Sequence, residues 1–201
     1  HNSCAMATTH FNSYKQGLDL QFLKELCLTR GTVRQLQKGD FLEDIGQPSR
    51  WIGFITKGCL KYIVHNDAEG KDYITGFAFE GELVGDYPNC LYMMKSEVRI
   101  EANVPCELYV IEGTELNKIY CDPELEALYM GKNIGEALFR QTYERFLDLY
   151  RFDAKGRYER LLRRCPQILQ MLSLKDIASF LKITPQMLSK IRKEITFGST
   201  K

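Results

Sequence analysis

The segment Leu174–Ile195, LKDIASFLKITPQMLSKIRKEI, constrains this chain more than any other. Ile177 and Leu181 lie one turn apart on a first helical pattern, with the small Ala178 beside them. Leu188, Ile191 and Ile195 form an i, i+3, i+7 stripe on a second. Between the two runs Lys182-Ile183-Thr184-Pro185. Thr184 is placed to cap the second helix. Pro185 suits its first position, because the ring presets φ and the missing N–H would have had no partner there. Two short helices crossing at a small residue, with Ile183 buried in the turn, make a helix-turn-helix. The polar outer face of the second helix, 185–195, is then the surface that enters a DNA major groove.

Charge supports this reading. Residues 151–201 hold 12 Lys+Arg against 4 Asp+Glu, a net +8, while residues 1–150 hold 15 against 22, a net −7. A basic C-terminal quarter on an acidic body suits a nucleic-acid reader attached to a separate module. Apolar runs are too short to span a bilayer and no signal peptide opens the sequence, so a cytoplasmic location without membrane partners is expected. His1–Ala5 precede Met6, the expected native start.

The cysteines, Cys4, Cys27, Cys59, Cys90, Cys106, Cys121 and Cys165, form no CxxC pair. Wide, irregular spacing fits reduced and mostly buried thiols rather than a zinc or iron–sulfur site, so no metal is expected. Of the three histidines, His1, His10 and His65, one falls in the central region, which leaves a cupin-like metal enzyme without ligands. No GxSxG, HExxH or P-loop spacing occurs, and no catalytic residue is assigned.

Four regions follow from the pattern. Residues 1–28 form a tail and a short amphipathic helix over 18–28, with Leu18, Phe22, Leu23 and Leu26 on one side. Residues 29–121 hold short Val-, Ile-, Phe- and Tyr-rich runs between glycine turns, among them Trp51–Thr56, Leu60–His65, Tyr73–Phe79 and a pair around Pro105. Such spacing predicts a small sandwich or barrel. Residues 122–152 read as one long helix with Asp122 as N-cap and Pro123 at its first position, striped by Leu125, Leu128, Gly135, Leu138, Thr142, Phe146 and Leu149. Its length predicts either a link between domains or pairing with a second copy. Residues 153–201 carry a helix Ala154–Arg164 and the helix-turn-helix. The fold class is therefore α+β: an N-terminal antiparallel β-roll (a jelly-roll-like sensor), a long dimerisation helix, and a C-terminal helix-turn-helix.

This order resembles the Crp/Fnr family of bacterial transcription regulators, in which a cyclic-nucleotide-binding-type roll precedes the reader. The resemblance rests on Lys38-Gly39-Asp40-Phe41-Leu42, Ile55-Thr56-Lys57-Gly58 and Phe79-Glu80-Gly81-Glu82-Leu83-Val84-Gly85-Asp86. Tyr158-Glu159-Arg160-Leu161-Leu162, Pro166-Gln167-Ile168 and Ile177–Arg192 extend it through the C-terminal region. It implies a homodimer that binds double-stranded DNA and works with RNA polymerase.

The resemblance also shows where the chain departs. Nucleotide-binding members carry Gly-Glu, and some ten residues later Arg-Ser or Arg-Thr, for the ribose and the cyclic phosphate. Here the positions read Gly85-Asp86 and Ser96-Glu97, so the bidentate phosphate partner is missing. Lys95 or Arg99 could substitute, though lysine lacks the planar fork. Binding of cAMP in the usual manner is not expected; Gly85, Asp86, Lys95, Ser96 and Arg99 remain the candidate effector residues, and another ligand, or none, is left open. The N-terminal cysteine cluster of oxygen-sensing members is lacking, and only Thr196–Lys201 follow the reader, so its β-wing is expected to be reduced or absent. Lys182 stands where the turn often has glycine.

By the same alignment Gln186 and Lys190 occupy base-reading positions, where Gln matches adenine and Lys guanine. Thr184, Ser189, Arg192 and Lys193 suit phosphate oxygens. The competing reading is a ligand-binding or protein-interaction module that does not bind DNA.

Overall fold

The computed structural model describes Phe11, Asn12 and residues 20–198. Helix α1 (Gln21–Arg30) leads into eight strands: β1 (Thr32–Leu36), β2 (Phe41–Glu43), β3 (Trp51–Lys57), β4 (Cys59–Asn66), β5 (Lys71–Phe79), β6 (Leu83–Gly85), β7 (Arg99–Ala102) and β8 (Cys106–Glu112). They form two antiparallel four-stranded sheets, ordered β1-β8-β3-β6 and β2-β7-β4-β5. Alternate apolar side chains from both sheets, including Leu36, Ile55, Leu60, Ile100 and Leu108, meet in the interior. That is the expected roll. Gly58 closes the β3–β4 turn at φ +94°, where a Cβ would lie 2.5 Å from the Pro105 carbonyl oxygen, so no side chain fits.

Beyond the strands the chain is helical: α2 (Gly113–Cys121), α3 (Leu128–Arg151), α4 (Ala154–Arg164), α5 (Ile168–Met171), α6 (Leu174–Phe180) and α7 (Pro185–Gly198). Three boundaries differ from the sequence reading. Helix α1 starts at Gln21 and buries Leu23, Leu26 and Cys27, and Leu18 lies outside the described residues. Helix α2 occupies residues assigned to the end of the roll. Asp122 does not start the long helix. It caps the end of α2, and its Oδ1 accepts from the Glu124 amide at 2.9 Å; Glu126 then turns left-handed at φ +49°. With that carboxylate held in a local turn and φ reversed, the helix restarts at Leu128. Its 24 residues span about 36 Å.

The phase of α3 also differs. Ile134 and Asp148 are its buried residues, and the inward line runs on through Leu138, Gln141 and Arg145 along a cleft. Of the expected stripe, Leu138, Thr142, Phe146 and Leu149 line the cleft as well, Phe146 and Leu149 remaining partly exposed, while Leu128 is exposed. At the other end Asp153 accepts from the Gly156 amide and starts α4, while Arg160 of α4 pairs with Asp148 at 2.9 Å across the bend.

One apolar core crosses from the roll to the helix-turn-helix. It joins Ile74, Phe77 and Phe79 of β5 to Tyr158 and Leu161 of α4 and to Ile177 of α6. Helix α7 runs through Thr196 to Gly198, and among the described residues no strand follows it.

Candidate nucleic-acid interface and effector cleft

The helix-turn-helix is built from local signals. Ser173 accepts from the Asp176 amide and opens α6. The end of α6 is a Schellman motif: the Ile183 amide reaches the Ala178 carbonyl and the Lys182 amide that of Ser179, each at 3.0 Å. This geometry needs a left-handed residue, and Lys182 takes it at φ +58°. Thr184 Oγ1 then accepts from the Met187 amide at 3.1 Å and Pro185 fills the first position of α7. Leu188 and Ile191 are buried against α6, and Ile195 is half-buried in the same cluster.

That anchoring turns the opposite face of α7 to solvent. Gln186, Ser189, Lys190 and Lys193 come together with Pro185 along one shallow groove. All four are exposed, as is Thr184 at the start of the helix. Arg192 is placed differently. It is half-buried near Tyr158, where its charge offsets part of the burial that raises the tyrosine pKa. Met187, 45% exposed beside Gln186, had no place in the sequence reading. An apolar side chain there is suited to a thymine methyl group.

The candidate effector residues do not form one site. A cleft of about 1230 Å³ lies between the roll, α3 and α6, and Gly85 and Asp86 line it together with Tyr62, Glu82, Arg145 and Phe180. Lys95, Ser96 and Arg99 are not among its lining residues. Asp86 accepts from Ser96 Oγ at 2.8 Å and from Asn89 Nδ2 at 3.1 Å, and its carbonyl accepts from the Cys90 amide. Ser96 is buried, whereas Lys95 is exposed and bridges Pro48. Arg99 pairs with Asp44 at 3.1 Å, with its guanidinium 4.5 Å from the Phe41 ring centre. The segment aligned with a phosphate cassette is thus bonded to itself.

Tyr62, Glu82 and Arg145 are among the polar residues of the cleft. The Gly85 amide donates to the Tyr62 hydroxyl at 3.2 Å. Glu82 accepts from the Phe79 amide and from Asn12, and burial raises its pKa above the ordinary range. Arg145 donates to the Thr75 carbonyl and lies over the Phe180 ring at 5.0 Å. No linear signal marks these residues, because the cleft forms only when α3 folds back on β5.

Among the described residues no group of three His, Cys, Asp or Glu side chains could hold a metal ion. Cys27, Cys59, Cys90, Cys106 and Cys165 are buried, and burial pushes the Cys27 and Cys90 thiols up to about 12. Cys4 lies outside the described residues. No described helix is long and apolar enough to cross a membrane.

Comparison with known proteins agrees with the fold. Residues 33–121 match the cyclic nucleotide-binding domain family. No curated protein matches the chain by sequence. The structure of FixK2 from Bradyrhizobium japonicum superposes with a TM-score of 0.69 at 16% identity, covering 84% of this chain and 86% of that one. CLP of Xanthomonas campestris, described as a c-di-GMP-responsive global regulator, gives 0.67 at 17% identity and covers 90% and 93%. A transcriptional regulator from Eubacterium rectale assigned to the Crp/Fnr family gives 0.61 at 16%, covering 90% and 85%.

The chain has the Crp/Fnr fold. Within that fold, the roll, the long helix and the C-terminal reader follow one another in the order anticipated from the sequence.

Proposed function

We propose that this chain is a transcription regulator of the Crp/Fnr type, not an enzyme, that binds DNA through α7. The observation that carries the reading is the outward face of α7. Its polar and cationic side chains share one open groove, while Leu188 and Ile191 lock the opposite face into the reader. Gln186 and Lys190 read base edges, and Thr184, Ser189 and Lys193 hold phosphates. Arg192, drawn toward Tyr158, contributes charge near the backbone.

The working form in this proposal is a homodimer joined along α3. Phe139, Tyr143, Phe146 and Tyr150 stand on one exposed line, 68%, 47%, 50% and 76% accessible, with neighbouring ring centres 5.6, 6.4 and 5.1 Å apart. Their 4-3-4 spacing is that of a helix-pairing seam. A pair of readers then takes a two-fold symmetric site with half-sites about 10 bp, or a multiple, apart. Regulation acts on RNA polymerase at such sites. The self-bonded Asp86–Ser96 segment argues against the usual cAMP mode, and the cleft above it is the place for any other effector.

Selection from a random duplex pool, followed by footprinting, tests the reading. A symmetric footprint whose affinity falls steeply with salt is expected from phosphate contacts. Recovery of no preferred duplex, or binding indifferent to salt, refutes it.

A further inference from the structure

The reader does not hang from α4 alone. Strand β5 ends its sheet, with β4 as its neighbour, and on its open side the Ile74 amide donates to Ser179 Oγ of α6 at 2.9 Å. Next to this bond Phe180 of α6 packs on Phe77 of β5, ring centres 6.1 Å apart. Phe11 completes the cluster. It is fully buried, with its ring centre 4.9 Å from that of Phe180, 5.7 Å from Phe77 and 5.4 Å from Phe79. The backbone around it is tied on both sides. Arg164 Nε of α4 donates to the Phe11 carbonyl at 2.7 Å, and Asn12 Nδ2 donates to the Phe77 carbonyl at 2.8 Å. One dipeptide far from the reader in sequence therefore touches roll and reader together.

Resting on the DNA-reading role proposed above, we infer that Phe11 is a positioning residue for site recognition. It clamps the reader against β5 and so sets how the two α7 helices of a dimer are spaced and aimed. The clamp does not cover the reading surface, since Gln186, Ser189, Lys190 and Lys193 stay exposed with it in place. Its effect is on geometry. A dimer engages a two-fold site as a bivalent ligand, and the second contact gains from the first only if the second reader is held where the second half-site lies. Affinity for one isolated half-site depends on α7 alone. Loosening the clamp should thus weaken binding to the full site and spare the half-site.

The test compares wild-type protein with Phe11→Ala, Phe11→Leu and Ser179→Ala on the selected two-fold duplex and on a duplex holding one half-site. Hydrogen exchange at the Ile74 amide reports docking without DNA. For Phe11→Ala, Ile74 exchange should quicken on the order of tenfold or more. Full-site affinity should fall on the order of tenfold, with half-site affinity within about twofold of wild type. Phe11→Leu, which keeps an apolar plug, should retain most of both. Ser179→Ala should show the same split in smaller measure, and it decides the matter if Phe11→Ala does not fold. Unchanged Ile74 exchange, unchanged full-site affinity, or equal loss on both duplexes overturns the inference. If wild-type protein binds neither duplex, the regulator reading falls and the positioning role with it; Ile74 exchange then still decides whether Phe11 clamps the two parts.

Discussion

Ser96 donates its hydroxyl to Asp86 at 2.8 Å, so the residue aligned with a phosphate-binding arginine bonds the residue aligned with a ribose-binding glutamate. The two ends of the cassette are joined by a protein hydrogen bond where a nucleotide would join them in a binding relative. Ser96→Ala leaves the Asp86 carboxylate one donor short and should cost about 1–3 kcal/mol in urea unfolding. Calorimetric titration with cAMP should give no saturable heat for wild type or variant. Micromolar binding would show that the cassette opens.

Glu43 is 6% exposed and its Oε1 accepts from the Arg50 and Trp51 amides. Burial raises its pKa first, Asp86 adds repulsion, and the two amides and Arg34 oppose both. A carboxyl with a raised folded pKa binds more protons folded than unfolded as pH climbs from the ordinary glutamate range to the raised value. Stability therefore falls through that window. Glu43→Gln keeps the acceptor oxygen and removes the charge. The variant should be the more stable at pH 7, with its advantage shrinking as pH drops from the raised value to the ordinary glutamate range and constant below it. A constant difference across a pH series of melts would contradict this.

Tyr143 lies in the middle of the aromatic line on α3 and, 47% exposed, contributes little to the single chain's core. Tyr143→Glu places two like charges in a paired seam. Sedimentation should find the variant monomeric with unchanged helix content, and the two-fold duplex should bind it no better than a half-site duplex. A variant that remains dimeric would place the interface elsewhere.

Lys190 projects from α7 between Gln186 and Lys193. Lys190→Ala should cost about 1–3 kcal/mol at the selected site and relax one base position. An equal loss on every duplex would make it a backbone contact only.

Lys182 holds φ at +58° to end α6. A side chain in that region costs on the order of 1–2 kcal/mol, and glycine avoids the clash. Lys182→Gly should raise the denaturation midpoint without changing the slope. No gain would mean that the lysine side chain compensates through contacts in the turn.

The sequence was most readable where structure is decided locally. Thr184, Pro185 and the Leu188–Ile191 pair mark α7 through capping and period alone, and glycine turns delimit the strands. Asp122-Pro123-Glu124 misled because those residues begin a turn as readily as a helix; only the reversed φ at Glu126 separates the two. Of the stripe expected on α3, Leu138, Thr142, Phe146 and Leu149 line the cleft, and Phe146 also belongs to the exposed aromatic line. A helix packed on one side and apolar on the other has no single period to read. Of the candidate effector residues, Gly85 and Asp86 line the cleft, while Arg99 pairs with Asp44, 55 positions away.

The core shared by β5, α4 and α6 limits how this architecture can be divided. Cutting the chain at the bend near Asp153 would leave Phe77 and Phe79 uncovered on one fragment and Tyr158, Ile168 and Ile177 on the other. The roll would keep its inner core, but the helical piece would lose the sheet that covers its apolar side. Exchanging the C-terminal part for that of a distant relative therefore requires matching substitutions on the sheet that receives it.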